Sequence, residues 1–285
     1  MKNLARPATL GMVICFAAMH SLAADFHTAL GLQLWSLREQ TKTGVPGALD
    51  LVTSYGVTEV ETAGTGNLTA LQFAGELKSR GLVAVSAHVG YETLQEDIAA
   101  VIRDAQALGV EFVVCPWIPH AKSGLTADDA RRVAAEFNVW GAACQAAGLR
   151  FGYHPHGFEF EPAGPGETVF DVLARETKPN VVCFEMDVFW VVHAGQDPVK
   201  LLRKYPDRWR LLHLKDLRKG VATGFSTGSA PSTDNVAIGD GQIDWRAVLA
   251  TAQGIGVEHY FIEDETPAPL QSIPASLQYL RTLKL

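Results

Sequence analysis

Short apolar runs alternate with longer amphipathic segments along the chain, with a repeat of about thirty residues. The runs are rich in β-branched and aromatic side chains, which is typical of strands in a parallel sheet that helices cover on both faces. The predicted strands are residues 30–35, 58–62, 82–88, 112–115, 149–153, 181–184, 209–212 and 260–262. The predicted helices lie at about residues 46–55, 69–80, 94–108, 126–148, 167–176, 198–205, 244–254 and 267–283.

Eight strand–helix units predict an α/β fold, the (β/α)8 TIM barrel, as a single domain over residues 25–285. Glycines follow several predicted helices, at positions 56, 81, 109 and 148, where a left-handed cap turns the chain back toward the sheet. A doubly wound open sheet is the competing architecture. That architecture usually carries a glycine-rich phosphate loop after its first strand, and residues 34–38 contain no glycine.

The first 24 residues have the composition of an export signal. Lys2 and Arg6 form a basic start, residues 8–18 are apolar, and small residues at 21–24 offer a cleavage site before Asp25. The apolar run of about eleven residues is too short for a membrane-spanning helix, which needs about twenty. We therefore predict a signal peptide over residues 1–24, a periplasmic or secreted protein and no stable membrane anchor, with a buried N-terminal helix as the alternative.

The charge of the chain bears on its partners, and its cysteine content bears on whether it forms disulfides. The formal net charge is −7 and the basic residues are scattered, which argues against nucleic acid as a partner. Three cysteines follow the predicted signal, Cys115, Cys144 and Cys183, and an odd number without a close pair predicts buried thiols rather than a disulfide framework. A small-molecule ligand is the expectation, and the oligomeric state stays open.

Ionisable side chains stand at the C-terminal ends of the last four predicted strands: His154, Asp187, His213 and Glu263. Burying a polar side chain costs several kcal/mol unless it is paired or coordinated, so four such endings need a common explanation. The strand ends of a barrel converge on one face, where these side chains would form a four-ligand site for a divalent metal ion. Mixed nitrogen and oxygen donors suit Mn²⁺, Zn²⁺, Fe²⁺, Co²⁺ or, less well, Mg²⁺.

Further polar and aromatic side chains lie near the predicted ligands. His156 and Lys215 stand two positions beyond His154 and His213, so each shares their inward face, and Glu159 follows closely. Candidate substrate-binding residues come from the other strand ends and from aromatic side chains suited to the C–H face of a sugar: Trp35, Arg38, Glu61, His88, Trp117, Phe158 and Trp190.

Several of these residues have a second interpretation. His88 is equally well explained as a hydrogen-bonded core histidine, His156 as a donor that orients a neighbouring ligand, and Asp187 as a cap of the following turn. Glu185 lies one inward layer below Asp187 and is expected to be a buried hydrogen-bond partner rather than a ligand. The long Gly-, Ser- and Thr-rich segment at 218–240 is expected to cover the site.

Four motifs carry a family resemblance: Tyr-His-Pro-His-Gly-Phe-Glu-Phe at 153–160, Glu-Met-Asp-Val-Phe-Trp-Val at 185–191, His-Leu-Lys-Asp at 213–216 and Gly-Asp-Gly-Gln-Ile-Asp-Trp at 239–245. In this order they resemble the xylose-isomerase-like barrel family of sugar (phosphate) isomerases and epimerases. The resemblance implies a divalent metal held on strands five to eight, with Asp187, His213 and Glu263 matching its ligands. The family's epimerase branches place a proton-moving glutamate on strand five, where this chain has His154, as in a Tyr-His-X-His subset.

The implied chemistry is removal of a proton next to a carbonyl, because a cation bound to neighbouring substrate oxygens stabilises the charge that develops. Glu263 is the first candidate for the base, His156 the second and Glu159 the third, and Lys215 is a candidate to stabilise the oxyanion. An exported sugar isomerase or epimerase acting on a sugar or keto-sugar is the predicted function.

A lyase or hydratase acting on 3-keto-glycosides is the alternative within this chemistry. Two further alternatives belong to other functional classes. The first is a periplasmic sugar-binding protein without catalysis, which would need no base. A metal-dependent phosphodiesterase for abasic DNA would need more metal ligands and a basic groove, which the charge of −7 disfavours.

Overall fold

Eight parallel strands form a closed barrel in the structure, a computed structural model that describes residues 25–285. Each strand pairs with the next along the chain, and β8 closes the barrel against β1. The predicted TIM barrel is therefore confirmed. The strands are β1 (Leu30–Gln33), β2 (Glu59–Thr62), β3 (Val83–His88), β4 (Phe112–Cys115), β5 (Arg150–Tyr153), β6 (Val182–Asp187), β7 (Trp209–Leu214) and β8 (His259–Ile262).

Helices cover the outside of the barrel. They are α1 (Arg38–Thr43), α2 (Val45–Ser54), α3 (Ala70–Ser79), α4 (Tyr91–Leu108), α5 (Ala127–Ala146), α6 (Val169–Glu176), α7 (Val188–His193), α8 (Pro198–Lys204), α9 (Trp245–Ile255) and α10 (Pro269–Thr282). The helices pack closely on the strands. A Cβ at Gly141 of α5 would lie 2.3 Å from the carbonyl oxygen of Val181, just before β6, so only glycine fits there.

Two helical segments differ from the sequence prediction. The first predicted helix corresponds to α2, and a 3₁₀ turn at Leu34–Leu37 and the short helix α1 precede it. Gly44 separates α1, which ends at Thr43, from α2, which has a proline in its first turn. Helix α7 was not predicted at all. It begins directly after β6 because the Asp187 carboxylate accepts a hydrogen bond from the backbone N–H of Trp190 at 3.2 Å and so caps the helix.

The inward face of the barrel changes from apolar to polar toward the C-terminal ends of the strands. A small apolar cluster includes Leu211 and Phe261. Two positions further along the same strands, on the same face, stand His213 and Glu263, so the polar side chains form the layer above the apolar one. Active sites of this fold lie at that end of the barrel.

The segment after β7 is an ordered hairpin in which Asp216–Leu217 pairs with Asn235–Val236. The Asp216 carboxylate accepts hydrogen bonds from the backbone N–H groups of Gly239 and Gly241 and from the Trp245 indole, at 2.9, 3.2 and 2.8 Å. A Cβ at Gly241 would lie 2.0 Å from this carboxylate. These contacts fix the end of the loop predicted at residues 218–240, where the chain enters α9.

Three sequence predictions concern other parts of the molecule. Cys115 and Cys144 are buried free thiols, and Cys183 is a partly buried one. Within residues 25–285 no helix has both the length and the apolar character to cross a membrane. The predicted signal peptide, residues 1–24, lies outside the described residues.

Candidate active site

A cavity of about 410 Å³ opens at the C-terminal end of the barrel. Six of its lining residues were predicted from the sequence as ligands, bases or substrate contacts. The lining residues are Trp35, Ala63, Gly64, His88, Pro116, Trp117, His154, His156, Glu263 and Glu265.

Two fully buried carboxylates, Glu61 and Glu185, lie beneath this cavity and contact three histidines. His88 Nε2 lies 2.8 Å from Glu185 Oε2 and 3.1 Å from Glu61 Oε2. His154 Nδ1 lies 3.0 Å from Glu185 Oε2, and His213 Nε2 lies 2.5 Å from Glu61 Oε2. We call Glu61 and Glu185 the inner carboxylates.

The carboxylate of Glu61 is held from the other side by two donors. Gln33 Nε2 donates to Oε2 at 2.6 Å and Ser86 Oγ donates to Oε1 at 2.6 Å. All the groups around Glu61 can therefore donate to it, which is the environment of an ionised acceptor. Burial and the charge of Glu185 oppose its ionisation, but His88 and His213 outweigh them and lower the pKa of Glu61.

Both inner carboxylates stand where strand pairing is irregular. The register between β2 and β3 shifts between Val60 and Glu61, and the register between β6 and β7 shifts between Phe184 and Glu185. A register shift of this kind re-aims the side chain at that position. The two irregularities thus accompany the meeting of Glu61 and Glu185 with the same histidines.

The inner carboxylates engage one ring nitrogen of each histidine and leave the other for the cavity side. The second nitrogen of His154, Nε2, lies 3.9 Å from Asp187 Oδ2. The second nitrogen of His213, Nδ1, lies 3.4 Å from Glu263 Oε2. In an uncharged ring such as His154, a carboxylate that accepts from one nitrogen fixes the tautomer in which the other nitrogen carries a lone pair, as in many metal sites. His213 has a carboxylate at each ring nitrogen, so it would have to lose a proton to bind a metal ion.

Asp187 has one buried oxygen without a partner. Its Oδ1 caps α7, whereas Oδ2 is buried and has no hydrogen bond to any group in residues 25–285. An unpaired buried carboxylate oxygen is costly, and a cation at this point would satisfy it. The ligand atoms of Asp187, His213 and Glu263 all lie within 4.8 Å of one another. These three donors therefore fit a divalent metal ion, and the fourth predicted ligand, His154, has its Nε2 3.9 Å from Asp187 Oδ2.

A second group of possible ligands overlaps the first. His88, His154, Glu185 and His213 also offer atoms within 4.8 Å of one another. In this group the short contacts run between histidine nitrogens and the inner carboxylates, so hydrogen bonds already account for them. Glu185 Oε1 is also buried without a hydrogen bond within residues 25–285, but it lies 3.3 Å from His213 Nε2. Asp187 Oδ2 is less well matched, because the closest histidine and lysine nitrogens, His154 Nε2 and Lys215 Nζ, are 3.9 Å away.

Lys215 supplies the positive charge among the cavity carboxylates. Its ammonium lies 3.3 Å from Glu263 Oε2 and 3.9 Å from Asp187 Oδ2, and it donates to Glu265. The side chain is 2% exposed and is not among the lining residues. Burial opposes its charge, but the carboxylates outweigh burial and raise the pKa of Lys215. Its contacts place it as the counter-ion of these carboxylates.

Burial and neighbouring charges shift the pKa values of the predicted ligands. Burial, with a contribution from His213, lowers the pKa of His154 to about 4. Burial also opposes the protonation of His213, but Glu185 and Glu61 outweigh it and raise the pKa of His213 well above its usual value. Burial raises the pKa of Asp187 to about 7 against the opposing effect of Lys215.

His156 presents a neutral ring to the cavity. Its Nδ1 is buried and without a hydrogen bond in the described part of the chain. Burial lowers the pKa of His156 well below its usual value, so the ring is uncharged at neutral pH. An uncharged imidazole in a substrate cavity can accept a proton.

Glu159 does not line the cavity, although the sequence made it the third candidate for the base. Its carboxylate accepts hydrogen bonds from the Tyr153 hydroxyl and, at 3.1 Å, from the backbone N–H of His156. Burial raises the pKa of Glu159 to about 7 against the effect of the Tyr153 hydrogen bond. These contacts fix the loop that carries His156.

The predicted substrate-binding residues fall into two groups. Trp35, His88 and Trp117 line the cavity, and Trp35 is 45% exposed with its indole Nε1 donating to Glu265 at 2.9 Å. The others lie behind the wall or outside it. Glu61 belongs to the inner carboxylates, Arg38 lies over the Trp35 ring outside the cavity, Phe158 packs against Trp117, and Trp190 is buried beside His156 and Lys215.

Sequence reasoning gave two residues less weight than the structure does. Glu185 contacts His88 and His154 directly and stands 3.3 Å from His213, and Glu265 binds both Trp35 and Lys215. The available signal was alternation, because Glu185 and Glu265 each stand two positions from a predicted ligand on the same inward face.

The protein is thus a TIM barrel in which histidines and carboxylates at the C-terminal ends of the strands form a candidate metal centre beside a cavity. A family model described as "Xylose isomerase-like TIM barrel" matches residues 49–283, and the chain belongs to this family of sugar-modifying barrels.

Relatives and solved structures agree with this placement. An inosose dehydratase from Lacticaseibacillus casei is 25% identical over 214 residues, which cover 66% of this chain and 70% of that protein. A sugar phosphate isomerase/epimerase from Parabacteroides distasonis has 25% identity and a TM-score of 0.72, with 88% of this chain and 93% of that chain covered. The IOLI protein with a binding zinc atom shares the fold at 14% identity, with a TM-score of 0.67 and coverage of 89% and 95%.

Proposed function

We propose that this protein is a divalent-metal-dependent enzyme that removes a proton next to a carbonyl in a sugar or keto-sugar. The observation that carries the proposal is the orphan Oδ2 of Asp187, which is buried among nitrogen and oxygen donors. One of these donors belongs to Glu263, which lines the cavity together with His156. The zinc named for a structural neighbour supports it.

The proposed ligands are His154, Asp187, His213 and Glu263. A divalent ion bound there would polarise substrate oxygens and lower the cost of the negative charge that develops as the proton leaves. The inner carboxylates hold the two imidazole rings so that one nitrogen of each faces this position. Lys215 balances part of the charge of Asp187 and Glu263, and keeps these carboxylates in place.

Glu263 and His156 are the proposed proton acceptors, in that order. Both line the cavity, and Glu263 is joined to Lys215, which keeps its carboxylate ionised. His156 has a free Nδ1 and an uncharged ring. Either group can take a proton from a carbon that lies within hydrogen-bond reach.

The walls of the cavity favour an uncharged substrate. The described residues that line it include two glutamates and three histidines but neither lysine nor arginine. Phosphate groups are usually bound by clustered lysine and arginine side chains. We therefore propose a keto-sugar without a phosphate group, which the name inosose dehydratase of the relatives also supports.

Rearrangement and elimination share the first proton transfer. The isomerase/epimerase name of one solved structure supports rearrangement, whereas the dehydratase name of the relatives supports loss of water. We propose isomerisation or epimerisation as the outcome, with elimination from a 3-keto-glycoside as the alternative.

Deuterium exchange tests the proposal. The purified protein with its metal content measured is incubated in D₂O with a panel of aldoses, ketoses and 3-keto-sugars, and incorporation at carbon is followed by NMR. We expect exchange with at least one keto-sugar, loss of exchange in Glu263→Gln, and a smaller loss in His156→Gln. Loss in His156→Gln with retained exchange in Glu263→Gln would reverse the assignment.

Glu59→Gln is the matched control for these variants. Glu59 stands on β2 and pairs with His259 at 2.7 Å, away from the cavity-lining residues, so its variant should exchange normally. Binding of a keto-sugar by metal-loaded protein without any exchange would instead identify a sugar-binding protein.

Export is a separate proposal. It rests on the basic, apolar and small-residue order of residues 1–24. Cell fractionation and N-terminal sequencing test it, with a periplasmic or secreted chain beginning at about Asp25 as the expected result and a cytoplasmic chain with an intact N-terminus as the contrary one.

A further inference from the structure

A second cavity of about 490 Å³ adjoins the first and shares Trp117 with it as a common wall. Both volumes fall in the range of roughly 300–1,000 Å³ that is usual for small-molecule sites. Three loops at the C-terminal end of the barrel build the second cavity. Its lining residues are Trp117, Pro119, His120, Ala121, Lys122, Gly124, Phe158, Glu161, Phe225, Ser226 and Thr227.

One wall of the second cavity is aromatic. The ring centroids of Trp117 and Phe158 are 4.8 Å apart, and those of His120 and Phe158 are 4.0 Å apart. Trp117 is 36% exposed although its neighbour Phe158 is buried. An indole packed on one side and open on the other can stack a planar ligand.

The loop after β7 is fixed against this wall. Gly228, at φ +73°, lies so close to Trp117 that a Cβ would stand 2.6 Å from its indole ring. Ser226 is buried and donates from Oγ to the carbonyl oxygen of His156 at 3.4 Å. The loop is thereby joined both to the aromatic wall and to the segment that carries a candidate base.

Phe225 completes the cavity with an apolar ring that the protein itself leaves uncovered. It is 68% exposed, although the next residue along the chain, Ser226, is buried. Covering an exposed phenylalanine at the rim of a cavity removes apolar surface from water, so it favours ligand binding.

We propose that the second cavity is a subsite for a planar aromatic group attached to the sugar that the first cavity holds. This inference rests on the proposed function, because the sugar ring places the reacting carbon beside His156 and Glu263. The attached ring extends past Trp117 and lies between the Trp117–Phe158 wall and Phe225. The substrate class is then a keto-glycoside with an aromatic substituent.

Two matched glycosides test the subsite: methyl 3-keto-β-glucoside and 4-nitrophenyl 3-keto-β-glucoside, each with metal-loaded protein. Binding is measured by calorimetry and turnover by NMR. We expect the aryl glycoside to bind ~10-fold more tightly, the order of one aromatic stacking contact. Phe225→Ala should remove most of this preference without changing the methyl glycoside, and Phe225→Tyr should retain it. Val139→Ala, which truncates an exposed residue on α5, is the control.

The outcomes separate this proposal from the proposed function. Tighter binding of the aryl glycoside without turnover of either compound supports the subsite and contradicts the function. Turnover of both compounds with equal affinity overturns the subsite and leaves the function intact. An equal loss for both glycosides in Phe225→Ala would also overturn it, because Phe225 would then act as a lid over the sugar.

Discussion

Replacing Glu61 by glutamine tests whether the inner carboxylates position the metal ligands. Glu61 accepts hydrogen bonds from Gln33, Ser86 and His213 at 2.5–2.6 Å, and His88 lies at 3.1 Å. A glutamine keeps one acceptor oxygen but turns an N–H group toward these donors. At least one buried partner loses its acceptor.

The expected magnitude follows from these contacts. A hydrogen bond to a charged group contributes about 1.5–3 kcal/mol, so loss of one or two at His213 and His88 should lower the free energy of unfolding by about 2–4 kcal/mol. Because Nε2 of His213 would no longer be held, metal affinity should fall by about 10- to 100-fold. Urea denaturation and competition with a metal chelator measure the two effects.

The same substitution at Glu59 separates positioning from general damage to the strand. Glu59 is on the same strand as Glu61, and its partly exposed carboxylate contacts the partly exposed His259 on β8. Glu59→Gln weakens this contact and should leave metal affinity unchanged. Unchanged metal affinity in Glu61→Gln, or an equal fall in both variants, would refute the idea that Glu61 orients His213.

Three further predictions concern other parts of the protein. Asp187→Asn should abolish stoichiometric metal binding, as measured by elemental analysis after dialysis, because the orphan oxygen then carries no charge. Gly241→Ala should lower the free energy of unfolding by about 1–3 kcal/mol in urea, because its Cβ would collide with Asp216, and a normal value would show that the turn can shift. Glu159→Gln should change the pH dependence of stability. Burial raises the pKa of Glu159 to about 7 in the folded protein, against 4.5 in the unfolded chain, so the folded wild type binds more protons in this range. Its free energy of unfolding should therefore fall by up to roughly 3 kcal/mol as the pH rises from 4.5 to 7. Urea titrations across that range should show that Glu159→Gln lacks this contribution.

The barrel and its rim residues could be predicted because they depend on local patterns. Apolar runs set the strands, and the period of two along a strand puts His213 and Glu263 one layer above Leu211 and Phe261. The place of the candidate ligands at one end of the barrel follows from that pattern and from the parallel topology.

The inner carboxylates could not be predicted in the same way. Which of two inward carboxylates on β6 contacts a histidine on the next strand depends on register, and the register shifts just before Glu185, as it does before Glu61. A shift of one position has no strong signature in the sequence. The second cavity was also missed, since three loops distant in sequence build its walls.

The proposed metal position is tested most directly by anomalous X-ray scattering from a crystal of the metal-loaded protein, measured at the absorption edge of the ion that elemental analysis finds. We predict one peak within about 2.0–2.3 Å of His154 Nε2, Asp187 Oδ2, His213 Nδ1 and a carboxylate oxygen of Glu263. A peak between Glu185 and the opposite nitrogens of the histidines, or no peak in protein that contains stoichiometric metal elsewhere, would contradict the account.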